Sequence, residues 1–335
     1  MISRVAEHCY WLSRYLERAE NSARILEVNH TLLLDFHVPM EQQWRPLLII
    51  SGIHDYKPEA SAENVQDYMT WDTTNPCSIA SSLAMARENG RIIREVISAE
   101  MWERLNYYHL WMQSPAARAS YGSSRSEFYA QIRRINQLIY GIGTGTMLHG
   151  EAWEFFRLGM HLERSSQTAR ILDVKYHMLL PRLEEVGSAV DNAHWVAILM
   201  SCSGYEPFHK RPRLATVDPG SAVVEFLILD ELFPRSVRRC VNQCLKAAAV
   251  IGGRKLGEPA TNDADRRVEE LIGWLNKQTI QQIIRDGLHE SLTHVVDSVH
   301  NIGEAIYKSY FDVAIKPPPS SPKKVQAVGQ SQSQS

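Results

Sequence analysis

The sequence predicts an all-α helical bundle built from two diverged tandem copies of one multi-helix unit. Three observations predict it: a segment recurs in order along the chain, apolar residues fall at helical intervals, and no stretch alternates convincingly with period two. The recurrence is LERAENSARILEV at residues 16–28 against LERSSQTARILDV at 162–174, with eight of the thirteen positions identical at an offset of 146. Self-similarity of this kind is the mark of a duplicated supersecondary unit.

The first copy spans residues 1–146. Leu12, Leu16, Ala19, Ala23 and Leu26 follow a 4-3-4-3 spacing, one stripe of a helix expected near residues 3–36. Trp44 then opens WRPLLIISG, matched by WVAILMSCSG from Trp195 at an offset of 151. Asp72 to Ile79 (DTTNPCSI) matches Asp230 to Val237 (DELFPRSV) at an offset of 158, as expected if loops lengthened in the second copy. Pro76 and Pro234 fit the first turn of the helix that follows, where a missing N–H costs nothing. The first of these helices is expected to run unbroken through ARENGRIIREVISAEMWERLN, with Gly90 as a weak point. Gly141, Gly143 and Gly145 end a helix at the boundary between copies. The second copy, 147–315, repeats the stripe at Leu158, Leu162, Ser165, Ala169 and Leu172, in a helix expected near 149–180. It closes with a long helix over about Ile280 to Tyr310. Residues 316–335, with PPPSSPKKVQAVGQSQSQS, have the composition of a disordered tail.

Composition excludes several function classes. A net charge of −2 lacks the strongly basic footprint of a nucleic-acid binder. Apolar runs such as Leu47 to Ile50 and Phe226 to Leu229 are far too short to cross a bilayer. The opening Met1-Ile2-Ser3-Arg4 leads directly into an amphipathic pattern with no secretory signal. Five cysteines, an odd number, suit reduced thiols. The expectation is a cytoplasmic protein without nucleic-acid or membrane partners.

The polar residues of the repeated segment are the candidate site. On a helical wheel Glu17, Asn21 and Arg24 lie roughly 150° from the leucine stripe, and Glu163, Gln167 and Arg170 take the same places in the second copy. Arg18 and Arg164 sit between the two faces. Two readings stand: a ligand or partner face made by both copies, or a buried structural ion-pair network. Glu17 and Arg24 are seven residues apart, about 10 Å along one helix, too far for a good pair within it. If the motif helices lie antiparallel, Glu17 faces Arg170 and Arg24 faces Glu163. Asp72 and Asp230 precede the proline turns and serve either as acceptors for turn amides or as arginine partners.

Other motifs fall short. Glu27-Val28-Asn29-His30 has the spacing of di-iron bundles, but the second copy has Asp173 and Tyr176 there. Glu206-Pro207-Phe208-His209 is interrupted by proline and reads as loop. The histidines at 289 and 294 are one residue too far apart for a zinc-protease helix. Cys240 and Cys244 have no second ligand pair and read as core thiols. Gly141 to Gly145 lacks the strand and lysine of a phosphate loop, and there is no Gly-x-Ser-x-Gly elbow. No metal, cofactor or catalytic residue is assigned.

The run ISRVAEHCYWLSRYLERAENSARILEV resembles the opening of the bacterial alpha-E family, all-helical proteins named for their helices and a Glu-Arg motif. The Trp44-x-x-Leu47-Leu48 segment, the Asp72 to Ser78 segment and the ENGRIIREVISAEMWERLN segment fit it too, so the resemblance reaches about residue 314. Ser13 departs from it, standing where the family usually has glycine, while its counterpart Gly159 keeps it. The resemblance implies companionship with a circularly permuted ATP-grasp ligase and a transglutaminase-like protein, and a role in making or modifying a peptide or amide-linked product. Two functions follow as expectations. One is a non-catalytic scaffold that docks the ligase or presents its substrate. The other is an enzyme using Glu17, Glu163, Asp72 or Asp230 as acid or base, with arginines gripping a carboxylate or phosphate.

The tail has almost no apolar surface to bury. Deleting residues 317–335 should leave the melting temperature unchanged in a thermal scan.

Overall fold

The computed structural model describes residues 3–32, 40–53, 55–178, 189–211 and 218–312, and among them every regular element is helical. The expected tail lies outside the described residues.

Two long helices form the axis of the fold: α1 (Ser3–Leu32) and α8 (Glu151–Met178). The leucine stripe of each is buried, with Leu12, Leu16, Leu26, Leu162 and Leu172 fully enclosed. The opposite face of α1 is enclosed too, because the helix packs against α8, α4 (Ile79–Ile92) and α7 (Arg125–Thr146). In turn, α8 is flanked by α12 (Val237–Ile251) and α15 (Leu288–Ile306). The helices α2 (Met40–Ile50) and α9 (Ala189–Ser201) cross over, so that α2 packs on α8 and α9 on α1. Trp44 of α2 is a fully buried anchor in that contact layer. Buried apolar side chains from Ala6 to Ile306 belong to one continuous core.

The remaining helices clothe this frame. They are α3 (Ala62–Trp71), α5 (Ala99–Met112), α6 (Pro115–Ser123), α10 (Tyr205–Lys210), α11 (Pro219–Leu229), α13 (Asp263–Lys277) and α14 (Ile280–Asp286). Hydroxyl and carboxylate N-caps start many of them: Ser61, Ser78, Ser98, Ser114, Ser124, Asp218 and Ser236 each accept a first-turn N–H. After α15 a π-helical turn, Tyr307–Phe311, returns to the chain start, where the Ser3 hydroxyl donates to the carbonyls of Tyr310 and Phe311 at 2.7 and 3.0 Å.

Several expectations are corrected. The helix expected to continue past Gly90 stops at Ile92, and Ser98 caps a new one, α5, which folds back on α4. Gly90 marks a close approach: a Cβ there would lie 2.8 Å from Leu105 Cδ1. The last long helix is broken at Gly287, whose φ of +97° an L side chain adopts only with strain. Pro76 and Pro234 precede the caps Ser78 and Ser236, so they shape the incoming turn and lie outside the helices. Glu206 to His209 is helical, within α10; proline is tolerated in a first turn, where no intrahelical N–H is required.

The largest correction concerns direction. Along the α1–α8 contact, Tyr10 and Ser13 meet Gly159, Arg14 and Arg18 meet Glu163, and Glu17 meets Arg164. The partners ascend together, so the two helices run the same way where they touch, not antiparallel. They approach closely at Gly159, where an added Cβ would lie 2.3 Å from the Tyr10 carbonyl oxygen and 2.4 Å from Ser13 Oγ.

Backbone atoms cannot yield as a flexible side chain can. Gly159→Ala should therefore cost about 2–3 kcal/mol by denaturant titration. Gly141→Ala, inside α7 with open space around it, should instead add about 0.5–1 kcal/mol through helix propensity.

Candidate functional site: the buried Glu-Arg seam

The polar face of the repeated segment is interior. Glu17 is 0% exposed, Glu163 3%, Asn21 3% and Arg24 5%. An ion removed from water needs a partner of opposite charge with good hydrogen-bond geometry, and the seam supplies one from the facing helix.

The pairing is reciprocal. Arg164 donates to Glu17 through Nε at 2.9 Å and Nη2 at 2.8 Å, a two-point grip on the carboxylate. Arg18 grips Glu163 in the same manner, at 2.9 and 3.2 Å. Each Glu-Arg dipeptide thus answers the other across the helix contact. The expected partners, Arg170 for Glu17 and Arg24 for Glu163, are not used. Running the same way, the helices bring residues of equal height together, and adjacency of Glu and Arg lets each carboxylate meet the next guanidinium. The antiparallel scheme would have required a seven-residue swap.

Each glutamate also has a second arginine. Arg235, from the turn before α12, donates to Glu17 at 2.7 Å and pairs with Glu20 as well. Arg14 holds Glu163 at 2.7–2.8 Å and donates to the Tyr10 hydroxyl at 2.7 Å. Arg24 turns back to Glu20, one helical turn earlier. Asn21 lies 3.5 Å from Arg235, and Gln167 3.4 Å from Glu163. Among the described residues Arg170 hydrogen-bonds Ser166 Oγ alone, at 3.4 Å.

The electrostatics follow. Burial alone would push the Glu17 carboxyl up, but the Arg164 and Arg235 guanidiniums outweigh it and hold it at about 2. Burial acts likewise on Glu163, where Arg18 and Arg14 hold the carboxyl well below the usual carboxylate range. His161 lies on the same helix, and burial followed by the repulsion of Arg164 and Arg157 keeps its imidazole neutral, its pKa well below the ordinary value.

Asp72 and Asp230 do not join the seam. Asp72 accepts from the amide and hydroxyl of Thr74 at 2.8 and 2.6 Å. Asp230 accepts from the amides of Leu232 and Phe233 and pairs with Arg211 at 2.8 Å. Both close a turn. Glu27 pairs with Arg133 at 2.6 Å, and His289 with Asp173 at 2.7 Å. Among the described residues no group of three or more His, Cys, Asp or Glu is placed to hold a metal, and no helix is long and apolar enough to cross a membrane.

Sequence reasoning missed Arg14, Glu20 and Arg235. Arg14 is four residues before Arg18 and so on its face, a readable signal. Glu20 and Arg235 have the uncharged Ser166 and Cys77 at the matching sequence offsets, which hid them from a search for repeated residues.

A family described as a predicted alpha-helical domain with a conserved ER motif matches residues 1–311. Among curated proteins, the chain is similar to uncharacterised proteins of Mycobacterium bovis and of Mycobacterium tuberculosis, 23% identical over 331 residues. The match covers 89% of this chain but 35% of each relative, so the chain spans about a third of their length. No solved structure matches.

Removing one member of the clamp leaves a buried charge unpaired. Glu17→Ala should cost about 3–5 kcal/mol. Adding Arg164→Ala should cost less than the sum of the single changes, whereas Arg170→Ala should simply add, read from equilibrium unfolding of the single variants and the two double variants. The folded pKa of Glu17 is depressed from an ordinary 4.5 to about 2, so its contribution is complete above pH 4.5 and drains away as pH falls toward 2. The melting temperature should drop across that window in the native chain and less steeply in Glu17→Gln.

Proposed function

The chain belongs to the Alpha-E family, and we propose that it is a non-catalytic helical binding module, the partner of a circularly permuted ATP-grasp ligase in a cytoplasmic bacterial pathway that forms or modifies peptide or amide bonds. A transglutaminase-like protein is a second companion in this reading. One observation carries the non-catalytic part: both motif glutamates are buried and each is gripped by two arginines. A general acid or base must exchange a proton near neutral pH, and the paired arginines hold both carboxyls far below that range. The enzyme alternative therefore loses Glu17 and Glu163, while Asp72 and Asp230 are committed to turns.

The module in this proposal is two copies of one unit, residues 1–146 and 147–315, facing each other across the seam. Support comes from backbone detail at the sequence offsets. Gly52 and Ser203, 151 apart, both have positive φ, +76° and +55°. Both donate three residues back, to Ile49 and Met200, and the following residues donate to Leu48 and Leu199. Asp72 and Asp230 end α3 and α11, and Ser78 and Ser236 cap α4 and α12. That the matched stretch is a third of longer relatives suits a module that works beside other domains.

Co-expression with an ATP-grasp protein of the alpha-E-associated type from the same organism should give a stoichiometric complex on size exclusion at micromolar concentration. The isolated chain should show no ATP turnover. Separate elution at that concentration, or turnover by the chain alone, would sink the proposal.

A further inference from the structure

The seam carries two charge clusters, and the sequence offsets relate Glu17 to Glu163, Arg24 to Arg170 and Arg164 to Arg18, while Arg14 has Met160 as its counterpart and no equivalent in the first cluster. In the first, Glu17 and Glu20 are held by Arg24, Arg164 and Arg235. In the second, Glu163 is held by Arg14 and Arg18. An offset of 146 puts Ser166 where the first cluster has Glu20, and Arg170 where it has Arg24. An offset of 158 puts Cys77 where it has Arg235. Two long charged side chains are thus replaced by two short ones. The space they would fill is a half-open cavity of about 200 Å³, lined by Arg14, Arg18, Glu163, Ser166, Arg170 and Cys77 among others.

Charge and hydrogen bonding point the same way. The first cluster sets three guanidiniums against two carboxylates; the second sets Arg14, Arg18 and Arg170 against Glu163 alone. Arg170 meets no carboxylate among the described residues, and its counterpart Arg24 meets Glu20. One negative charge is missing beside an arginine that faces an open cavity.

We propose that this cavity is a binding site for a carboxylate, which takes the place that the Glu20 side chain occupies in the first cluster. A single carboxylate brings the second cluster to the charge balance of the first, whereas a phosphate dianion would overshoot it. Planar two-point binding by guanidinium suits a carboxylate. Pockets for whole drug-sized ligands run from about 300 Å³ upward, so this one admits an end group: the terminus of a peptide or a small organic acid. The site does not depend on the ligase reading and stands or falls separately from it.

Cys77 supplies a reporter. It is the one partly exposed cysteine, the other four being buried. Burial pushes the thiols of Cys9, Cys202 and Cys240 up to about 12 and that of Cys244 higher still, so a neutral alkylating reagent such as iodoacetamide should modify Cys77 in the native chain. Labelling should slow saturably with N-acetylglycine and not with N-acetylglycinamide. Protection by N-acetylglycine well beyond that by acetate assigns a peptide end, and equal protection assigns a small acid; both outcomes support a carboxylate site. Arg170→Met should weaken protection about 10- to 100-fold with no change in melting temperature, since no carboxylate loses its partner. Ser166→Glu should rebuild the missing pair with Arg170, raise the melting temperature and abolish protection. The proposal is overturned if the amide protects as well as the acid, if phosphate protects better, if neither acid protects at about 10 mM, or if protection survives Ser166→Glu.

Discussion

Everything in this fold is arranged around two carboxylates that have been taken out of water. Glu17 and Glu163 lie in the seam between α1 and α8, each with bidentate arginine contact from the opposite helix. A buried ion pair gains little over an apolar contact of the same shape, but breaking it is expensive. The clamp is therefore better understood as a device for specificity than for net stability: it admits one register and one relative direction of the two helices. A one-residue slip would set carboxylate against carboxylate. Gly159 acts in the same sense from below, since only the absence of a side chain lets the backbones come so close.

The clamp also dictates what surrounds it. Charges so close in a low-dielectric seam need shielding from water, and α4, α7, α8 and α9 pack on α1 and bury Glu17, Glu20, Asn21 and Arg24. The crossing of α2 onto α8 and α9 onto α1 serves that enclosure, and it ties each half of the chain to the other. The polar residues of α1 thus belong to the interior as much as the leucines do, and a strict division of the helix into a core face and a solvent face does not describe it.

Helical class, the repeated segment and the identity of the motif residues were all legible in the sequence, because they depend on local spacing. Leu12, Leu16, Ala19, Ala23 and Leu26 are buried as their 4-3-4-3 interval requires. Helix breaks were less legible. The stop after Ile92 comes from Ser98 competing as an N-cap and from Leu105 packing on Gly90, a tertiary contact that no local pattern contains. Partner choice within the seam was read wrongly for a related reason. Spacing along a helix gives the height and azimuth of each side chain, yet the direction of the facing helix is set by backbone approach at Gly159 and by the cross-chain pairing itself. Arg235 lies 218 residues from Glu17, and only the fold joins them.

The two charge clusters of the seam differ in how their arginines are neutralised. An unpaired buried charge is costly. In the second cluster the carboxylate at position 166 is absent and the arginine at 170 is present. An arginine at 170 without an acid beside it carries an uncompensated charge into a partly enclosed cavity, where a neutral side chain would be less costly unless an anion binds there. Its presence together with open space, and with Glu163 already satisfied by Arg14 and Arg18, is what the proposed carboxylate site rests on. Arg18 and Glu163, one residue from each Glu-Arg dipeptide, line the candidate site as well as closing the clamp, so substitutions there would disturb both, and Arg170 and Ser166 are the positions where binding can be separated from folding.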